Sequence, residues 1–511
     1  MNDPRLPVLV GCAQITQREP DPRRARSPIG LMIDAARAAC ADSGGHRSLI
    51  GLIDTLVVIR SFADTSWRFE CPFGRSSNPP RSVAHGLDAP AVRRFIYTRA
   101  GGNMPQWCLN RLGEAIQRGE TDCAIVVGAE ALATQKAAQR SGFAPDWSDD
   151  PGGEAELWGD ERPAWSDIED RHGMRGAIYA YPLFENAIRG ALGRDLPSHQ
   201  QALGRLLERF AAVAAANPLA DRRAGYDAAA ISTVGPDNPY IGFPYTRLMN
   251  ANAFIDQAAA VIIMSSGQAD ALDIEPAKRV YLHGCADAHD HWFVSDRRDF
   301  HSSPAMQAVF ARALDMADLR LPDIGLLDLY SCFASAVEVA CDALGISTDD
   351  VRGLTVTGGL PYFGGPGNNY VTHAIAEMMV RLRRQRDAFG LVTANGNYLT
   401  KHSAGVYSCR RPLAPFAPEP PAQLQSALDR IAHPPLIAHA TGRGHIETWT
   451  VMNDRSGPSS AIVYGRLDNG ARFIANTPQD PAQLAAMQSG EQLGRPGVVV
   501  SDGGRNIFMP E

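Results

Sequence analysis

Hydrophobic and polar positions in residues 1–145 follow two alternating periods. Short apolar runs such as VLVGCAQI and CAIVVGAEAL predict buried strands, while PIGLMIDAARAACADSG repeats its apolar residues three and four positions apart, as on one face of a helix. Strands that alternate with amphipathic helices are typical of α/β layer architectures. The pattern therefore predicts an α/β domain at the start of the chain.

The pattern changes in residues 146–225. An acidic stretch with several tryptophans, DWSDDPGGEAELWGDERPAW, precedes helical segments such as QQALGRLLERFAAVAAANP. We expect an inserted loop or lid domain here rather than more sheet. A strand pattern returns with DQAAAVIIMSS within residues 226–270, which we expect to complete the first α/β half begun by residues 1–145.

Residues 271–411 repeat the α/β pattern, from RVYLHGCA to AFGLVTANGNYL. The strand endings AIVVGAEAL and GLVTANGNYL are alike, which favours two similar halves. Residues 412–423 contain five prolines and predict a stiff linker. Residues 424–511 combine strand-like runs with Asp-Asn-Gly and Asp-Gly-Gly turns, so we expect a small β-barrel there.

The net charge indicates which binding partners to exclude, and the cysteines indicate which cellular compartment to expect. The 511 residues carry a formal net charge of −7, which argues against general affinity for nucleic acid or anionic membrane surfaces. The apolar runs are far shorter than the roughly 20 residues of a membrane-spanning helix, and the N-terminal residues lack a secretory signal pattern. Nine cysteines without CxxC pairs favour neither a disulfide framework nor a zinc module. We expect a cytoplasmic protein with reduced thiols and no membrane insertion.

The segment RAGGNMPQWCLNRLGEAIQRGETDCAIVVGAEAL, residues 99–132, contains the first candidate site. It predicts a glycine-rich turn, an amphipathic helix and a buried strand. A turn at a helix N-terminus exposes backbone N–H groups and suits an anion or a developing oxyanion. This turn offers Gly101, Gly102 and Asn103, with no Ser, Cys or Asp that could attack a substrate.

Two later segments carry side chains suited to acid–base chemistry. Tyr330 and Cys332 end the buried run IGLLDLY, where a phenol or a thiol could exchange a proton with a substrate carbon in a cleft. His402 follows the glycine-rich segment that contains Asn395, and histidine is the commonest general base. Each of these side chains could instead pack a strand end or bond to a turn, and the sequence leaves both interpretations open.

The segment LHGCADAHDHW raises the question of a metal site. Its spacing fits no recognised zinc pattern, and a metal site needs three or four ligands in a fixed geometry. We therefore expect a loop at the rim of a cleft and no metal. The residues concerned are His283, Cys285, His289 and His291.

Several motifs together resemble the thiolase superfamily over roughly residues 5–410. LMNANAFIDQAAAVIIMSS resembles the thiolase stretch in which an Asn precedes Asp-Gly-Ala-Ala, with Asn250 and Asp256 at the matching positions. TGGLPYFGGPGNNY is similar to the Gly-Gly-Leu…Gly-His-Pro loop, LYSCF to the His-Asp-Cys-Phe loop of sterol-carrier-type thiolases, and VTANGN to the Cys-x-Gly loop. A barrel after a proline-rich linker resembles thiolase-like protein type 1.

This resemblance implies an α/β, thiolase-like, duplicated five-layered α-β-α-β-α fold with an inserted loop domain and a small C-terminal all-β, OB-like domain. It also implies that the family's reactive groups are largely replaced. The nucleophilic Cys falls at Gly102 and the activating His at Gly365. The Cys of Cys-x-Gly becomes Ala394, and the residue opening the third loop becomes Tyr330. Cys332 alone matches a reactive position, so thiolysis by the thiolase route is not expected.

The resemblance implies an acyl-CoA enzyme that makes or breaks a carbon–carbon bond without a Cys-bound acyl group, for example by retro-aldol cleavage of a 3-hydroxyacyl-CoA. Acyl transfer through another residue and non-catalytic binding of acyl-CoA or lipid are the alternatives. We expect coenzyme A as part of the thioester substrate, no covalently bound cofactor, no nucleic acid, and a monomer or homodimer. The expected catalytic residues are Tyr330, Cys332, His402 and Asn395, and the expected thioester-binding residues are Gly102, Asn103 and Gly365.

Overall fold

A computed structural model describes residues 3–44, 49–65 and 67–511. Its helices and strands are given in four successive parts of the chain. The first part contains β1 (Pro7–Thr16), α1 (Pro28–Asp42), β2 (Thr55–Val58), α2 (Pro79–Leu87), β3 (Arg94–Thr98), α3 (Met104–Gln117), β4 (Cys123–Ala131) and α4 (Leu132–Ser141). The second contains β5 (Glu156–Trp158), α5 (Asp167–Arg171), α6 (Ala177–Ala191), α7 (Leu196–Ala216), α8 (Ala228–Ser232), β6 (Tyr240–Gly242) and β7 (Tyr245–Thr246).

The third part returns to α/β structure and the fourth is mostly β. The third contains β8 (Asp256–Ser265), α9 (Ser266–Ala271), β9 (Val280–His289), α10 (Pro304–Met316), β10 (Ile324–Asp328), α11 (Ala334–Leu344), α12 (Gly359–Tyr362), α13 (Tyr370–Arg384), β11 (Phe389–Gly396) and β12 (Lys401–Ser408). The fourth contains α14 (Pro421–Leu428), β13 (Gly442–Asp454), β14 (Gly457–Leu467), β15 (Arg472–Asn476), α15 (Pro481–Ser489), β16 (Pro496–Asp502) and β17 (Arg505–Pro510).

The large sheet has ten strands in the order β10-β11-β12-β9-β1-β8-β4-β2-β3-β5. In its first half β1 is antiparallel to β8, β8 antiparallel to β4, and β4 parallel to β2. The second half repeats this sequence of pairings with β9, β12, β11 and β10. The two halves meet where Val8 pairs with Tyr281 and Leu9 with Val280. The predicted duplicated, thiolase-like α/β fold is confirmed.

Helices form three layers around the two half-sheets. Helices α3 and α13 contact each other and strands of both halves, so they make the central layer. Helices α1 and α10 cover the outer faces. Strands β4 and β8 are buried along their whole length, because helices cover both faces of the sheet there. This explains why their sequences are continuously apolar rather than alternating.

The C-terminal strands form a small barrel, as expected, and two short strands from residues 226–270 extend its sheet. The second sheet has the order β14-β15-β17-β16-β13-β6-β7, with β13 also pairing with β14. Its core is built around Trp449, Phe473 and Phe508. Strands β6 and β7 come from the segment before β8, which the sequence pattern did not predict to contain strands. In the described parts of the chain, no helix has both the length and the hydrophobicity needed to cross a bilayer.

Candidate active site

The glycine-rich turn between β3 and α3 is held from two sides. The Gly101 N–H donates to the Asn368 side-chain oxygen at 2.9 Å, and Asn368 in turn donates to the Arg60 carbonyl at 2.8 Å. On the other side the Lys401 ammonium donates to the Ala100 carbonyl at 2.7 Å. Gly101 has a φ of +150°, which side chains rarely permit. These contacts fix the turn at the end of the central helix α3.

The next two N–H groups of the turn are free to bind a ligand. Among the described residues, none accepts a hydrogen bond from the backbone N–H of Gly102 or Asn103, and both residues are buried. They directly precede Met104, the first residue of the 14-residue helix α3, so the positive end of the helix dipole lies behind them. Two neighbouring N–H donors at such a helix end suit a thioester oxygen that gains negative charge.

Tyr330 fills the space in which a nucleophilic side chain would lie. A Cβ atom built on Gly102 would overlap the Tyr330 phenol oxygen and come within 2.6 Å of the Asn395 carbonyl. The phenol therefore approaches the turn because residue 102 has no side chain. The Tyr330 ring is held edge-on against Tyr370, with ring centroids 5.7 Å apart. The backbone N–H of Tyr330 donates to the Thr393 hydroxyl at 3.0 Å.

The tyrosine and cysteine side chains at this site are neutral proton donors. Burial, with a smaller contribution from Cys332, raises the pKa of Tyr330 well above its ordinary value. Burial raises the pKa of the Cys332 thiol to about 12, against the lowering effect of a hydrogen bond with Tyr181. Burial likewise raises the pKa of Tyr181 well above its usual range. Near neutral pH the site thus presents O–H and S–H groups, and no thiolate nucleophile.

Asn395 lies between these donors and the turn. Its amide nitrogen donates to the Tyr181 phenol oxygen at 2.9 Å, and the Leu399 N–H donates to the same oxygen at 3.2 Å. The side-chain oxygens of Asn395 and Asn103 are buried without a hydrogen-bond partner. Buried polar atoms are nearly always paired, so two orphaned oxygens at one turn mark a place for polar atoms of a ligand or ordered water.

His402 is the register partner of Asn395 on the neighbouring strand, but its contacts lie elsewhere. Its Nε2 is 3.2 Å from Asp290 and 3.3 Å from the Ser303 hydroxyl, while Nδ1 is buried without a partner. Burial alone would raise the pKa of Asp290, but the charge of Arg297 and the hydrogen bond from His402 hold it well below its usual range. This buried ion-pair network places His402 in a supporting position, and its role in proton transfer stays a prediction.

Gly365 is close to the site but does not offer its N–H. That group donates to the Asn252 carbonyl at 2.9 Å. A Cβ at Gly365 would meet its nearest neighbours, Leu360, Asn252 and Ala251, at 3.4–3.7 Å, which is ordinary van der Waals contact. The expected oxyanion donor at this position is therefore occupied by a contact within the protein.

Lys401 is a site residue that the sequence analysis missed. Its side chain is buried beside Gly101, and burial lowers its pKa to about 8 despite the nearby charge of Asp160. It is thus the group at the turn whose protonation changes near neutral pH. A lysine directly before His402 at the start of a strand gave a weak signal, because lysines at strand ends are usually exposed.

The histidines of LHGCADAHDHW do not converge. The ring of His283 contacts the Arg410 carbonyl at 2.7 Å, that of His289 the Asp290 carbonyl at 2.7 Å, and that of His291 the Ile431 carbonyl at 2.8 Å. Each ring therefore bonds to a different backbone group. The expectation of a rim loop is wrong for His283, Cys285 and His289, because these residues lie on strand β9 (Val280–His289), which pairs with β12 in the large sheet.

Comparison with known proteins connects this chain to one superfamily. Residues 423–504 match the family described as thiolase-like protein type 1 additional C-terminal domain. A monomeric SCP2-thiolase-like protein type 1 from Mycobacterium smegmatis is 35% identical, with full coverage of both chains and a TM-score of 0.86. An Ltp2–ChsH2(DUF35) aldolase is 18% identical over 80% of this chain and 100% of that chain, with a TM-score of 0.59, which shows a shared fold.

A curated sequence relative covers a smaller part of the chain. A 3-ketoacyl-CoA thiolase from Salmonella heidelberg (strain SL476) is 31% identical over 161 residues, which is 28% of this chain. The match spans 35% of that thiolase, about a third of its length.

Proposed function

Since the chain belongs to the SCP2-thiolase-like protein type 1 family of the thiolase superfamily, we propose that it cleaves the carbon–carbon bond of a 3-hydroxyacyl-CoA thioester by a retro-aldol reaction. The observation that carries this proposal is the contact between Tyr330 and Gly102, which puts a neutral proton donor where a nucleophile would otherwise be. Such a site can polarise a thioester, but it cannot form an acyl-enzyme at residue 102.

The turn would bind the thioester carbonyl oxygen. The N–H groups of Gly102 and Asn103, which have no acceptor in the described protein, and the Tyr330 phenol beside Gly102 would be its hydrogen-bond donors. Their hydrogen bonds strengthen as the oxygen becomes an enolate, so they lower the barrier rather than merely tighten binding. Coenzyme A enters only as part of the thioester, and the chemistry needs no further cofactor.

Proton transfer completes the reaction. Neutral Lys401 would take the proton of the 3-hydroxyl group, the bond between the second and third carbons would break, and its electron pair would enter the thioester as an enolate. A proton delivered through Tyr330 or Cys332 to the second carbon then gives the shorter acyl-CoA and an aldehyde or ketone. The hydroxyl proton replaces the one delivered, so no water or oxidant is consumed.

The covered edge of the large sheet supports a monomer. Strand β5 pairs in parallel with β3, with Ile96 opposite Glu156 and Thr98 opposite Trp158. An open β3 edge could recruit the same edge of a second chain, and the three-residue β5 blocks that pairing. The related protein from Mycobacterium smegmatis is described as monomeric.

The first test is incubation of the purified protein with acetyl-CoA, acetoacetyl-CoA and a panel of branched 3-hydroxyacyl-CoAs, followed by mass spectrometry of small molecules and intact protein. We expect cleavage of a hydroxyacyl ester with no mass added to the protein. A covalent acyl adduct would favour acyl transfer instead. Binding of the esters without any turnover would favour a non-catalytic binding protein.

Two variants test the assigned roles. Tyr330→Phe removes one donor to the developing oxyanion and should lower kcat by about 10²–10³-fold, whereas Tyr240→Phe, on strand β6 of the barrel sheet, should not. Lys401 loses its proton as the pH rises through about 8, so kcat/KM should rise over the same range. Lys401→Met should be slow and should lack this rise. An unchanged pH profile in Lys401→Met would remove the lysine from the mechanism.

A further inference from the structure

A second group of buried polar side chains lies behind the active site. Glu185 is on α6, four residues after Tyr181, and Glu338 is on α11, which begins just after Cys332. His199 on α7 is the third member. One ligand atom from each of the three side chains lies within 4.8 Å of the other two. The three residues are buried, and we call them the Glu–His–Glu cluster.

One carboxylate of the cluster lacks a donor. The two oxygens of Glu185 contact His199 Nε2, at 2.7 Å, and the Tyr245 hydroxyl. Oε2 of Glu338 is buried without a hydrogen-bond partner, and the side chain is only 7% exposed. The nearest cation, Arg194, lies 3.7 Å from the other oxygen of Glu338. A buried carboxylate oxygen in this situation needs either a proton or a bound cation.

The donor set is suited to a cation. An imidazole nitrogen binds a metal ion through its lone pair, and His199 Nε2 lies 2.7 Å from the Glu185 carboxylate, inside the cluster. One imidazole nitrogen and two carboxylate oxygens are ligands that Zn²⁺ accepts at about 2.0–2.2 Å. A tetrahedral ion with such bonds holds its ligand atoms roughly 3.4 Å apart, so small side-chain adjustments from the present separations suffice.

We propose that the Glu–His–Glu cluster binds one divalent cation of the Zn²⁺ class through His199 Nε2 and one oxygen each of Glu185 and Glu338. The two carboxylates and the cation together are electrically neutral, which removes the cost of a buried unpaired charge. On loading, the His199 Nε2 proton moves to Nδ1, so the imidazole stays neutral, and the proton shared by Glu185 and Glu338 is released to solvent. The Tyr245 hydroxyl remains a hydrogen-bond donor to Glu185 and fixes that carboxylate.

The bound ion would join three helices that enclose the active site. Helices α6 and α7 belong to the inserted segment, with Tyr181 on α6, and α11 follows the loop with Cys332. The ion would therefore stabilise the enclosure without contacting the substrate. This assignment does not rest on the proposed reaction, because its tests measure metal binding and thermal unfolding.

The experiment uses the full-length chain, stripped of metal with a chelator and titrated with Co²⁺ as an optical probe and then with Zn²⁺. We expect one Co²⁺ per chain, with the visible absorption of a four-coordinate site, its displacement by Zn²⁺, and an increase of several degrees in Tm on loading. Absence of both Co²⁺ binding and a Zn²⁺-dependent rise in Tm would overturn the proposal and leave a proton shared by the two glutamates.

Variants assign the binding to these side chains. Glu338→Gln keeps the shape of the protonated carboxyl group and should weaken Co²⁺ binding by more than about 100-fold. His199→Gln should do the same and serves if Glu338→Gln does not fold. The control is Glu208→Gln on the same helix as His199, which should bind Co²⁺ like the unaltered protein. Equal binding by Glu338→Gln, His199→Gln and the control would overturn the assignment.

Discussion

At the scale of single residues, the absence of a side chain at Gly102 decides what the site can do. A Cβ at this position would overlap the Tyr330 phenol and lie 2.6 Å from a backbone carbonyl, and a backbone atom cannot rotate away. The absence of a side chain at residue 102 and the position of Tyr330 are therefore one structural feature. We therefore expect that a cysteine introduced at residue 102 would not by itself produce thiolase chemistry.

We predict that Gly102→Cys destabilises the protein by about 1–3 kcal/mol or more, because overpacked interiors force side chains and backbone to shift. The variant should also form no acyl adduct with acetyl-CoA, as measured by intact mass. The matched control is Gly365→Ala, whose new Cβ meets its neighbours at 3.4–3.7 Å. Equal free energies of unfolding for the two variants, measured by urea denaturation, would contradict the prediction.

At the scale of elements, the sequence was informative where burial is uniform. Strands β4 and β8 could be predicted because helices cover both of their faces, which requires continuous apolar residues. The turn before α3 could be predicted from its glycines and the helical spacing that follows. Strands β5, β6 and β7 could not, since each has two or three residues and is defined by its partner strand rather than by its own pattern.

In the candidate site, too, the local sequence predicted some features and tertiary contacts decided the others. Motif resemblance predicted that Gly102, Tyr330 and Asn395 lie near one another, and the structure brings them into contact. It could not reveal that the Gly365 N–H is taken by a loop distant in sequence. Nor could it predict the burial of Lys401, because the pKa of a lysine depends on tertiary neighbours and not on its place in a strand.

The end of β4 yields a prediction on pH-dependent stability. Burial raises the pKa of Glu130 from 4.5 to about 8, while its hydrogen bond from the Phe62 N–H opposes the shift. The carboxyl group also lies against Gly367, in the glycine-rich loop near the site. Because the folded-state pKa is raised, Glu130 favours the folded state fully at low pH, and this stability is lost as the pH rises from about 4.5 to about 8.

Glu130→Gln keeps an oxygen acceptor for the Phe62 N–H and removes the ionisation. We predict that Tm of the unaltered protein falls more steeply between pH 5 and 8, on the order of several degrees, than Tm of this variant. The control is Glu154→Gln at an exposed position. Parallel Tm-versus-pH curves for the protein and Glu130→Gln would show that Glu130 does not contribute to the dependence.

At the scale of the whole molecule, one buried arginine connects the barrel to the α/β body. The Arg472 side chain is fully buried and ion-pairs with Glu447 within the barrel. It also donates to the Ser295 carbonyl at 3.0 Å and to the Arg297 carbonyl. Arg297 in turn pairs with Asp290 in the network that holds His402. The barrel is thus linked by hydrogen bonds to the layer that supports the site.

We therefore predict that barrel and body unfold in a single transition, and that Arg472→Met separates them. The substitution leaves two buried carbonyl groups without a donor. It should lower the free energy of unfolding by about 3–5 kcal/mol, as for other broken buried ion pairs. Arg443→Met is the control, because its ion pair with Glu511 is largely exposed and should contribute little. Urea denaturation monitored by fluorescence, together with limited proteolysis of the proline-rich linker, shows whether the barrel and the body unfold in one transition or in two. One transition and equal midpoints for both variants would mean that the barrel is held by its apolar contacts alone.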